Sequence, residues 1–76
     1  MTISYARIAR LVSMIAYKEA LDLQMEILEN EINQTEHPNL KNLLTEELLR
    51  VTSENLRASR DIFNMSRALE VAVVAN

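Results

Sequence analysis

The chain has no cysteine, no glycine and no tryptophan, and among its 76 residues it has one proline, one histidine, two tyrosines and one phenylalanine. Each shortage removes a class of structure or chemistry. Without cysteine there is no disulfide framework and no thiolate metal site. Without glycine there is no phosphate-cradling loop, and a chain this poor in turn formers does not build a sheet. Acids outnumber bases, and the basic residues are not interleaved with aromatics, which argues against a nucleic-acid-binding stripe. Arg57, Arg60 and Arg67 lie near one another but with acids between them. No apolar run approaches the roughly 18 residues of a membrane span.

What is present is apolar and helix-forming. Hydrophobic residues make up 49% of the chain, too many for a disordered segment. The expected fold class is all-α, as a single unit at a size where one core is marginal. The only interruption of the helical pattern is Asn33-Gln34-Thr35-Glu36-His37-Pro38-Asn39. Pro38 lacks an amide donor and drives His37 out of the α region, so the incoming helix must stop. The same proline suits the first turn of a new helix, capped by His37 or Asn39. The expected architecture over residues 1–76 is an antiparallel two-helix hairpin, with helix 1 over about 3–34, a turn over about 35–38 and helix 2 over about 39–72.

Spacing then sorts the apolar residues. In helix 1, Ile3, Met14, Tyr17, Leu21, Met25, Leu28 and Ile32 share one narrow arc at 100° per residue, the mark of a buried seam. Ala16, Ala20, Leu23 and Ile27 form a second stripe, and Ile8, Val12 and Ile15 add apolar surface on a third side. In helix 2, Leu44, Leu48, Val51, Asn55, Ala58, Ile62, Met65, Leu69 and Ala72 advance in steps of three and four, a heptad-like seam. Leu49, Leu56 and Phe63 stand seven apart on another face. Glu46, Arg50, Glu54, Arg57 and Asp61 alternate in sign, as a solvated face does.

Folding the helices back about the break pairs residues whose numbers add to about 72. Leu28 then meets Leu44, Leu21 meets Val51, Met14 meets the small Ala58, Ile32 meets Leu40, Tyr17 faces Asn55 and Arg10 comes beside Asp61. Charge favours this direction. Residues 1–18 carry Arg7, Arg10 and Lys18 with no acid, and residues 19–36 carry six acids and no base. That is the reverse of what helix 1's own dipole prefers, and an antiparallel neighbour supplies the complement. The acid-free, Arg-bearing start has some look of an export peptide, but its apolar run is short and no small-x-small cleavage site follows it.

No catalytic or ligand constellation is evident. Glu36 and His37 are adjacent and share no face with a second histidine, so a metal site is not expected. Ser13, Ser53, Ser59 and Ser66 have no base at a useful spacing. The chain is therefore expected to be no enzyme, to need no cofactor and to bind no nucleic acid. Its surplus apolar residues point instead to another protein chain, with Leu49, Leu56, Phe63, Val71, Val73 and Val74 as the first contact set and Ala16, Ala20, Leu23 and Ile27 as the next.

The size, the hairpin, the Leu28-Glu29 pair before a short polar turn, and the second helix built on Leu44, Val51, Ala58, Ile62 and Leu69 resemble the small YscE-like co-chaperones of bacterial type III secretion. The likeness covers roughly residues 15–70. It implies a cytoplasmic hairpin that pairs with a second, tetratricopeptide-like chaperone and holds the needle subunit unpolymerised, with the exposed stripes as docking surface. Self-association is the other expectation, as a Rop-like homodimeric four-helix bundle or as a protomer of a needle, rod or filament.

Overall fold

A computed structural model of the protein describes residues 5–74, with side chains as far as Val71. Two helices, α1 (Tyr5–Gln34) and α2 (Pro38–Val74), pack antiparallel into a rod of 58 × 15 × 14 Å. The turn is local chemistry. Thr35 closes α1, its amide donating to the Glu31 carbonyl at 3.0 Å and its hydroxyl to the same oxygen at 2.6 Å. His37 then caps α2: its carbonyl accepts from the Lys41 amide at 2.9 Å, and its Nδ1 accepts from the Leu40 amide at 3.4 Å. Pro38 occupies the first helical position, where a missing N–H costs nothing.

The shared seam is narrow. Among the described residues Leu21, Val51 and Ala58 form the buried apolar core, with Met25 and Leu28 packed against it. Leu44, Leu48, Ile62, Met65 and Leu69 are half-buried along α2, as are Met14 and Ile32 along α1. Ala58 lets the helices approach closely opposite larger side chains. Ile3 and the side chain of Ala72, assigned to the seam from spacing, lie outside the described residues. So small a core offsets little of the entropy lost in ordering two long helices.

Two pairings differ from those expected. Tyr17 is exposed, and its hydroxyl donates to Glu54 Oε2 at 2.9 Å rather than meeting Asn55. Asn55 is the buried polar residue of the seam, and its Nδ2 donates to Asp22 Oδ1 at 2.6 Å. Arg10 and Asp61 form no ion pair; Arg10 lines a groove with Met65, Ala68 and Leu69, while Asp61 sits beside Met14, Tyr17 and Arg57. Toward the open end the helices are offset by about three residues from equal rise, nearly one helical turn. Leu40, paired with Ile32 by the same arithmetic, is 48% exposed, since it lies in the first turn of α2 where α1 is ending.

Asn55 at a seam position has a physical role. A single polar residue in a heptad-like stripe fixes which level of one helix faces which level of the other, because any slip leaves its amide unpaired. The acceptor is tuned to match. The Asp22 carboxyl is held below the usual aspartate range, first by the Lys18 ammonium, 3.0 Å away, and then by the Asn55 amide. Glu47 is likewise held low by Arg50. A carboxylate with a depressed folded-state pKa contributes stability that is present above its ordinary value and lost as pH falls through the depressed one. Thermal stability is therefore expected to fall between about pH 5 and pH 2, and an Asp22→Asn, Glu47→Gln variant should show a shallower fall. An unchanged profile in circular dichroism melts of that variant would mean the two carboxylates are unpaired in solution.

Candidate partner-binding surface

The two cross-helix side-chain hydrogen bonds among the described residues mark opposite sides of the hairpin. At 100° per residue, Asp22 shares its side of α1 with Ile8 and Ile15, while Asn55 shares its side of α2 with Leu56 and Phe63. Tyr17 and Glu54 lie on the other side. That second side is charged. Arg50 pairs there with Glu47 and with Glu54, the latter at 2.6 Å, and Arg57 and Asp61 continue the row. The Tyr17 phenol is pushed above its ordinary pKa, chiefly by its hydrogen bond to the Glu54 carboxylate, and so stays a donor. Ion pairs and hydrogen bonds within one surface satisfy it without a partner.

The Asp22 side is different. Leu49, Leu56 and Phe63 project from α2 with 64%, 67% and 62% of their surface exposed. On the same side α1 supplies Ile8, Leu11 and Ile15 at the level of Leu56 and Phe63, Leu11 half-buried and the others exposed, while at the level of Leu49 that side of α1 carries Asp22 and Glu26. Between the two ridges runs a row of small hydroxyl residues seven apart, Thr45, Thr52, Ser59 and Ser66. Helical phase and the shortness of these side chains point to a shallow trough there. Thr45 donates to the Lys41 carbonyl at 2.8 Å and Thr52 to the Leu48 carbonyl at 2.7 Å, so both hydroxyls are satisfied by their own helix. A shallow trough between apolar ridges is the shape into which another helix packs.

The residues assigned to partner contact from spacing do not form one surface. Leu49, Leu56 and Phe63 line the trough. Ala16, Ala20, Leu23 and Ile27 are exposed, but they lie on the back of α1, away from α2. Val71 is exposed and by helical phase faces away from α1. The side chains of Val73 and Val74 lie outside the described residues. The hydroxyl row, and Ile8 and Ile15, lie beside Leu49, Leu56 and Phe63 but outside that assignment, although the seven-residue repeat from Thr45 to Ser66 is visible in the sequence. It was masked because serine and threonine read singly as ordinary helix-surface residues.

Chemistry along this surface is sparse. Among the described residues no three histidine, aspartate or glutamate side chains converge where they could hold a metal ion, and no helix is long and apolar enough to cross a membrane. The grooves on the charged side are open and lined by mixed groups, Met14, Tyr17, Glu54, Arg57, Ala58 and Asp61 in one of them. The hairpin is thus an all-α rod with many exposed hydrophobic side chains, an arrangement consistent with a role in protein interaction. No protein family, curated protein or solved structure matches this chain.

Proposed function

We propose that the protein is a non-catalytic interaction module whose trough, between the Leu49, Leu56, Phe63 ridge of α2 and the Ile8, Ile15 ridge of α1, is covered by another protein helix. The observation that carries this reading is the exposure of three large side chains in register on one side of a rod whose own core, among the described residues, holds three buried apolar side chains. The rod exposes 5920 Å², against about 4,700 Å² for a compact domain of its mass. Excess surface of that kind, rich in apolar atoms, is what association removes.

Two forms of the module follow. In the first it is an escort of the YscE-like kind, a bacterial cytoplasmic co-chaperone that pairs with a second chaperone and keeps a needle subunit unpolymerised. Its size, its hairpin form and its short polar turn support that form. In the second it is a self-assembling subunit, and the opposed charges of its two halves, developed below, favour that one. Neither form uses a cofactor, a metal ion or a nucleic acid.

The test is affinity purification of the tagged chain from its native cell, with Leu56→Arg as the comparison. A charge on the central ridge residue should abolish every stoichiometric association, including association with untagged copies of the same chain. A Leu23→Arg variant on the back of α1 should leave it intact. If Leu23→Arg removes the association and Leu56→Arg does not, the docking face is the back of α1 and the proposed trough is wrong.

A further inference from the structure

The charges of this hairpin are divided along its length. The open half, residues 5–18 and 55–74, carries six bases against two acids, a net of +4. The turn half, residues 19–54, carries nine acids against two bases, a net of −7. Along the rod the boundary between the halves falls next to Leu56, the middle residue of the exposed ridge. The ridge is symmetric about that point, with Leu49 seven residues before it and Phe63 seven after. These sums are over all faces of the rod; a rod positive at one end and negative at the other, with an apolar ridge at its middle, is self-complementary under a two-fold rotation that reverses it.

We infer that a second copy of this chain occupies the trough, head to tail, about a two-fold axis near Leu56. This rests on the reading of the trough as a docking surface and names its occupant. In the dimer the two α2 helices run antiparallel, so that Leu56 meets Leu56, and Leu49 meets Phe63, of the second copy. Thr45 and Glu46 come beside the second copy's Arg67, and Thr52 beside its Arg60. The positive half of each rod lies on the negative half of the other. A parallel dimer, turns at one end, would instead set −7 against −7, and like-charge juxtaposition across an interface is strongly unfavourable. The area is sufficient. Each rod exposes 5920 Å², about 1,200 Å² more than a compact domain of its mass, and a standard interface removes roughly 800 Å² from each partner.

The absence of native cysteine makes the orientation directly readable. The full chain is made as two single variants, Thr45→Cys and Arg67→Cys. Each is oxidised alone, and then the two are oxidised as an equimolar mixture. A disulfide requires Cα atoms within about 7 Å, so in the head-to-tail dimer the mixture cross-links while neither variant alone does, its two copies of the cysteine being about 33 Å apart. Cross-linking of Thr45→Cys to itself would establish a parallel arrangement and overturn the inference. Sedimentation of the unmodified chain should give a dimer at about 100 µM and below, with association weakening as salt rises. Glu46→Arg and Arg67→Glu should each weaken the dimer several-fold, and the double variant should recover it. A monomer at all concentrations, or no recovery in the double variant, would sink the dimer. Should that monomer still lose its native-cell partner on Leu56→Arg, the trough remains a docking surface and only its occupant was misassigned.

Discussion

Leu21→Ala is expected to cost the hairpin about 2–5 kcal/mol, the range for truncating a buried leucine. Leu21 is 3% exposed and faces Val51, which has no exposed surface at all. Little else lies in that layer, so the cavity cannot be filled by a second shell of side chains moving inward. A small domain has total stability of only about 5–15 kcal/mol, and this one has three buried apolar residues among those described. The substitution should therefore unfold much of the population, read as loss of helical circular dichroism at room temperature. Leu28→Ala, at a half-buried site on the same helix, should cost less. Equal and small effects at both positions would place the stabilising contacts outside the Leu21, Val51, Ala58 layer.

The seam and the turn were legible in the sequence because each rests on a short-range rule. Pro38 stops one helix and starts another whatever surrounds it, and the three-and-four spacing of Leu44, Leu48, Val51, Ala58 and Ile62 survives any change of neighbour. The polar cross-helix contacts were not legible. Equal rise on either side of the turn gives the level of a residue along the rod but not the side it occupies, so Tyr17 and Asn55, which share a level, were paired across the seam. They lie on opposite flanks, and each reaches past the seam to a different carboxylate, Glu54 and Asp22. Arg10 and Asp61 were brought together by the same one-dimensional arithmetic, which omits the gradual offset between two long packed helices.

The proposed docking surface was half legible for a related reason. Periodicity separates buried from exposed positions within one helix, so Leu49, Leu56 and Phe63 emerged as surplus. It says nothing about which exposed stripe of α1 stands beside which stripe of α2. That relation is fixed by the Asp22–Asn55 bond, which turns Ile8 and Ile15 toward the side of the α2 ridge and leaves Leu23 and Ile27 behind. The small hydroxyl residues matter only once both ridges are in place, because a trough has no meaning on a single helix.

Phe63→Ala is expected to weaken association by roughly 2–4 kcal/mol, a loss of 30-fold or more, while leaving the free hairpin's melting behaviour almost unchanged. The two halves of that expectation come from different facts. Phe63 is 62% exposed in the single chain, so its truncation removes few intramolecular contacts. Phenylalanine also buries more area than any other residue on the ridge, at the entropic cost of only two side-chain torsions, and interface energy concentrates in such anchors. The contrast with Leu21 makes the test decisive. Truncation of a core residue should lower the melting temperature at every concentration. Truncation of a docking residue should lower it only where associated species are populated, because binding stabilises by mass action. Melts of both variants across a hundredfold range of chain concentration, with sedimentation at each, separate the two. If Phe63→Ala lowers the melt equally at all concentrations, Phe63 belongs to the hairpin's own stability, and the ridge it anchors is not a docking surface.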